Sequence, residues 1–122
     1  MSNCESLIIK KPHIKCTYQV NDANKYIKIM NNKCGKEINK DLETKIKIVN
    51  SCKEEKLSFK MKYEKTGINI IYFLIEGKLN NRSYMFRNCS SLKQISFAFV
   101  ETDQVTNMNS MFSGCYELEN AD

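Results

Sequence analysis

The sequence predicts a mainly β protein with short helices: a β-rich N-terminal cap, residues 1–78, followed by two coils of a solenoid, residues 79–122. Two observations carry this expectation. Apolar and polar residues alternate through most of the first eighty positions, and residues 79–92 recur at 105–118, a period of 26. Composition agrees, with 42% hydrophobic and 27% charged residues, four glycines, one proline and no tryptophan among 122 positions. That excludes collagenous and low-complexity chains. A chain of this length buries about 65 to 70% of the surface its unfolded form exposes, so a core forms without disulfides or metal.

The cap reads as strands in order. From His13 to Asn21, Ile14, Cys16, Tyr18 and Val20 fall on one face and Lys15, Thr17 and Gln19 on the other, which is a half-buried strand. Asn21-Asp22-Ala23-Asn24 supplies turn chemistry, and Lys25 to Met30 resumes an extended pattern, so a hairpin is expected. Asn32 to Asp41 is polar and contains Gly35, a loop. Thr44, Ile46 and Ile48 against Lys45 and Lys47 predict another strand. Leu57, Phe59, Met61 and Tyr63 against Ser58, Lys60 and Lys62 predict a further one. Glu64 to Gly67 is a turn, and Ile68 to Ile75 is apolar on both faces, as a central strand covered on both sides would be. Together these make a small antiparallel sheet or sandwich.

In the repeat, Leu79, Asn81, Met85, Phe86, Cys89 and Leu92 superpose on Val105, Asn107, Met111, Phe112, Cys115 and Leu118. Met, Phe and Cys at i, i+1 and i+4 share one side of a short helix, and the leucine three residues later begins an extended segment. Each copy is therefore one helix-and-strand coil. Asn81 and Asn107 fall where the chain must turn, and a side-chain amide there satisfies backbone groups that neither helix nor strand pairs. Cysteine is a small, adaptable hydrophobe suited to a helix lying close to a sheet.

This pattern resembles the BspA-like leucine-rich repeats, whose motif reads Val-Thr-Asn-Met-x-x-Met-Phe-x-x-Cys-x-x-Leu. Val105 to Leu118 matches it throughout. The first copy departs, with Leu79 for valine, Asn80 for threonine and Arg82 for methionine, and Ser96 stands where the family often has aspartate. The resemblance implies adhesion or partner binding without catalysis, usually at cell surfaces.

Repeat coils bury a continuous core only through their neighbours, and an array normally needs about three. Two coils leave the layer of Met111, Phe112 and Leu118 without a successor. The expected function is therefore non-catalytic protein–protein interaction or structural assembly, the open solenoid end stacking on a partner or on a second copy. The expected contact residues are Met111, Phe112, Tyr116 and Leu118, with Lys93, Gln94, Ser96 and Ala98 as outward sheet positions. A cell-surface adhesin fragment is the alternative. Met1 to Lys11 has no uninterrupted apolar core of the secretory kind, so an intracellular location is the default expectation and the cell surface the alternative.

Chemical function is not expected. His13 is the one histidine and reads as a solvated strand residue. Cys4, Cys16, Cys34, Cys52, Cys89 and Cys115 lie at least twelve residues apart, unlike the close pairs of zinc sites. They read as thiols, with Cys34 and Cys52 placed to bridge in an oxidising compartment. No catalytic residue, metal or cofactor is predicted. Two glycosylation-type triplets, Asn81-Arg82-Ser83 and Asn88-Cys89-Ser90, are what fourteen asparagines produce by chance. The net charge of +5 divides unevenly, with +7 on residues 1–80 and −2 on residues 81–122. Lys45, Lys47, Lys60 and Lys62 on exposed strand faces make a basic nucleic-acid accessory the third reading. Phe59 and Tyr63 alternate away from those lysines, against the interleaving of rings and charges that single-strand binders use.

Overall fold

The computed structural model describes residues 8, 10–31, 33–34, 37–38, 40–77, 85–98 and 111–121; for 33–34, 37–38, 40–41 and 120–121 it describes the backbone alone. Ten strands are found among these residues: β1 (His13–Val20), β2 (Tyr26–Lys28), β3 (Lys33–Cys34), β4 (Glu37–Ile38), β5 (Ile46–Asn50), β6 (Lys53–Lys56), β7 (Lys60–Lys62), β8 (Gly67–Ile75), β9 (Leu92–Ala98) and β10 (Asn120–Ala121). A helix, Lys40–Lys45, precedes β5. The protein is mainly β, as expected.

Six strands form one sheet in the order β10-β9-β1-β8-β5-β6, antiparallel except where β10 lies parallel to β9. The sheet therefore runs without a break from the β-rich segment into the repeat segment. Alternation in β1 turns Ile14, Cys16 and Tyr18 inward, where they pair with Phe73, Ile71 and Asn69 of β8. On the other side Ile14 and Cys16 meet Phe97 and Ile95 of β9. Lys93 is the extra residue of a β-bulge in β9, between the Thr17–Gln94 and Tyr18–Leu92 pairs. Bulging lets Leu92 and Ile95 both face the core.

A second layer covers the inner face. It consists of a two-stranded sheet of β2 and β7, the buried Leu42 of the helix, and the turns that carry Met85, Phe86 and Met111. Ile29 and Met30 are fully buried, with Ile27, Leu57, Phe59 and Met61 half-buried beside them. The Tyr18 hydroxyl donates to the Ile29 carbonyl and ties the layers together. Tyr63 carries a buried hydroxyl for which no hydrogen-bond partner is found among the described residues.

Four expectations are corrected. First, β2 does not pair with β1 but with β7, through Tyr26↔Lys62, Ile27↔Met61 and Lys28↔Lys60. Asn24, left-handed at φ 60°, donates its amide to the Tyr63 carbonyl at 2.7 Å, so the turn hands the chain to the second layer. Second, Thr44 and Lys45 are helical, and β5 begins at Ile46. The spacing of four from Leu42 to Ile46 brings both into the core across the helix end. Third, the polar stretch expected as a loop contains the short β3–β4 pair, and an unforeseen strand, β6, follows β5 through Ser51 and Cys52. Those two residues have φ of 51° and 64°, the paired positive values of a two-residue hairpin turn. Fourth, β8 is central but covered on both sides only toward its C-terminal end. Leu74 is buried on its outer face, whereas Ile68 and Ile70 are 52% and 41% exposed.

Candidate functional site

Met85 to Cys89 and Met111 to Cys115 are built alike. In the first copy the Cys89 amide donates to the Phe86 carbonyl at 3.2 Å and the Leu92 amide to Cys89 at 3.1 Å. The second copy repeats both bonds, Cys115 to Phe112 at 3.1 Å and Leu118 to Cys115 at 3.2 Å. Asn88 and Gly114, also 26 apart, are both left-handed, at φ 63° and 80°. The described part of the first copy consists of hydrogen-bonded turns where a short helix was expected; in the second, Met111 is helical and Phe112 to Gly114 form a turn.

These segments lie against each other in register. The amide of Phe86 donates to the Met111 carbonyl at 3.2 Å, and that of Asn88 to Ser113 at 2.6 Å. Further along, Glu119 donates to the Lys93 carbonyl at 2.8 Å, and β10 pairs with β9 through Gln94↔Asn120 and Ile95↔Ala121. Each strand pair joins residues 26 apart, one repeat period. The ring of Phe112 stacks on Phe86 at 6.2 Å and 14°, while Phe86 meets Phe73 edge-on at 6.0 Å. On the far side of the first copy, the Asn31 amide donates to the Met85 carbonyl at 2.7 Å, so the residues after β2 cover that flank.

Cysteine sits between the copies. The Cys115 thiol donates to the Phe86 carbonyl at 3.0 Å. Burial raises the pKa of Cys115, Cys89 and Cys16, most strongly for the last two. Neighbouring thiols add to the shift at Cys16 and Cys89, and Lys28 opposes it at Cys89 and Cys115. All three are free, whereas Cys52 is disulfide-bonded, against the expectation of six thiols; its partner's side chain lies outside those described. Because folding holds the three thiols protonated, their contribution is complete below the ordinary thiol range and is lost as pH rises through it toward the folded values. Alkylation by iodoacetamide at about pH 8 is expected to spare Cys16 and Cys89 until the protein unfolds, and intact mass reports this. Rapid native labelling of Cys89 would contradict the packing.

The expected contact residues divide. Met111 is fully buried and belongs to the core cluster rather than to an exposed surface. Phe112 and Leu118 are half-buried against the same cluster, and Tyr116 is 87% exposed. Lys93 reaches Glu119 at 4.0 Å, a surface pair of small worth. Gln94 is exposed, with Ser96 and Ala98 half-buried on the same outer face of β9. Of the repeat positions, Met85, Phe86, Cys89 and Leu92 are buried and Cys115 is half-buried. Asn81 and Asn107, like Leu79 and Val105, lie outside the described residues. His13 donates from Nδ1 to the Lys11 carbonyl at 2.8 Å, in the tautomer that protonates that nitrogen, and meets Tyr72 edge-on. No helix among the described residues is long and apolar enough to cross a membrane.

The lysines expected to line a nucleic-acid face are spoken for differently. Lys45 is helical, and Lys47 reaches Glu76 at 3.1 Å and Glu54 at 3.5 Å, which raises its pKa. Lys60 and Lys62 lie over the ring of Tyr26, at 4.7 and 5.2 Å from its centre. Tyr26 was not among the residues expected at a site. Its signal was present, since Tyr26 and Lys28 alternate with Ile27 and Ile29 and so fall on the polar side of β2.

Comparison with protein-family models, with curated proteins and with solved structures finds no match to this chain.

Proposed function

We propose that this protein is a non-catalytic interaction or assembly module in which residues 79–122 form two stacked coils of the BspA-like leucine-rich kind. The side of the second coil away from the first receives a further layer, supplied by a partner or by a second copy. The observation carrying this reading is the parallel pairing of β10 on β9 at an offset of 26, repeated by the Phe86–Phe112 stack. Stacking at one spacing is what solenoid coils do.

The two ends of the six-stranded sheet differ in a way that favours β10 as the receiving side. At the other edge, β6 is Lys-Glu-Glu-Lys, exposed at every position, and such charge discourages strand addition. Half-buried Leu118, two residues before β10, supplies apolar surface on the second copy, whereas β6 supplies none. Sedimentation of the chain across a concentration series is expected to show association. A monodisperse, stable monomer at high concentration would count against the proposal.

One observation favours the adhesin reading as a second choice. Cys52 is disulfide-bonded, and disulfides persist mainly in oxidising surroundings. Glycans at Asn81 or Asn88 on protein from its native source would support it.

A further inference from the structure

Between the β2–β7 sheet and the end of β6 lies an open cleft of about 810 Å³. Its floor is apolar, made by Ile27, Met30, Leu57 and Phe59. Its rim carries Lys28, Lys56 and Lys60 against a single acid, Glu43, and Lys62 stands beside Lys60 over Tyr26. None of these four lysines makes an ion pair with the described residues, in contrast to Lys47 and Lys93. Glu43, Glu54 and Glu55 lie beside Lys56 in a neighbouring cleft without forming an ion pair with it, so the rim keeps an excess of cationic charge over its apolar floor.

Tyr26 is 60% exposed. Together with Ile27 it also lines a second cleft of about 340 Å³, which reaches Ser91 and Tyr116 at the repeat segment. Tyr26 and Ile27 therefore line both clefts. Exposed tyrosines are favoured anchors of protein contacts, and a rim of unpaired lysines over an apolar floor is the complement of an acidic segment carrying an apolar side chain.

We propose that this cleft docks an acidic protein segment carrying an apolar side chain. Its carboxylates meet the ammonium groups of Lys28, Lys56 and Lys60, and its apolar side chain covers Leu57 and Phe59. A lysine held over an aromatic ring keeps N–H groups free for a carboxylate, so Tyr26 positions Lys60 and Lys62 without neutralising them. The same arrangement disfavours nucleic acid, because ammonium groups already occupy ring surface on which a base would stack. This docking surface is separate from the stacking side of the second coil and does not rest on that reading.

The test is fluorescence anisotropy of the full chain with a labelled peptide of about ten residues, glutamates around two leucines, with amide NMR shifts to locate it. Saturable binding is expected, with shifts at Tyr26 to Lys28 and Leu57 to Lys60. The double variant Lys56→Glu/Lys60→Glu should weaken binding by about tenfold or more. An equal charge change on the sheet side, Lys11→Glu/Lys15→Glu, should alter it by less than about threefold, since exposed charges are screened beyond a Debye length. Tyr26→Ala should weaken binding and Tyr26→Phe retain it, with thermal unfolding confirming that each variant is folded. The proposal is overturned if the peptide does not bind, if a lysine-for-glutamate peptide binds as well, or if both charge pairs weaken binding alike. It is overturned equally if oligothymidylate or decanoate shifts the same amides while the peptide does not.

Discussion

Phe86→Ala is expected to lower the folding free energy by about 3–5 kcal/mol, the usual range for deleting a fully buried phenylalanine. Phe86 is wholly buried and touches both halves of the molecule, Phe73 of β8 on one side and Phe112 of the second copy on the other. Total stabilities of single domains are about 5–15 kcal/mol, so this loss is a large fraction of the whole. Phe112 is only half-buried, and Phe112→Ala should cost less. A double-mutant cycle between the two should return a coupling of about 0.5–1.5 kcal/mol for the ring pair. Urea unfolding of the four proteins measures all of this, and additive effects would contradict the stack.

Gly114→Ala is the second large effect, and it acts on the junction between the copies. Gly114 has φ +80°, and a Cβ there would fall against the Asn88 Oδ1 and 3.1 Å from the Asn88 Cα. The left-handed backbone costs alanine about 1–2 kcal/mol, and overpacking adds about 1–3 kcal/mol. The Asn88 side chain can turn aside, but its Cα is held, because the Asn88 backbone amide donates to the Ser113 carbonyl at 2.6 Å. Adding Asn88→Gly removes the side-chain clash and should recover part of the loss, leaving the backbone strain. Gly77→Ala provides the contrast: φ is +88° but nothing lies within 4 Å of the added Cβ, so strain alone remains. A Gly114→Ala protein no less stable than Gly77→Ala would show that the copies are not packed at this point.

How much of the molecule could be read from its residues follows from how local each determinant is. β1 was legible because alternation over eight residues is a local signal, and β8 because apolar residues on both of its faces marked it as central. The 26-residue offset was legible because Met, Phe, Cys and Leu recur in identical spacing, and the same offset governs the observed pairing. Non-local pairing was not legible. Residues 13–30 read as a hairpin, since nothing near Asn24 says that the Tyr63 carbonyl will receive its amide. β6 had no apolar alternation to announce it, because an exposed edge strand needs none. The turn before it lacks the usual asparagine-glycine pair and places Ser51 and Cys52 at positive φ instead.

The candidate sites divide in the same way. The repeat residues announced themselves by recurrence, but whether each would face the core or a partner depended on layers distant in sequence, which is why Met111 is buried while Tyr116 is exposed. The lysine-rimmed cleft assembles from β2, the helix and the segment between β6 and β7, three elements that the alternation pattern could not bring together.

Parallel stacking of the two copies is read most directly from scalar couplings across hydrogen bonds in the isotopically labelled chain. Couplings are expected from the Phe86 amide to the Met111 carbonyl, from Asn88 to Ser113 and from Glu119 to Lys93. If these amides couple to other carbonyls, or exchange with solvent as unprotected groups do, the copies do not stack and the account fails.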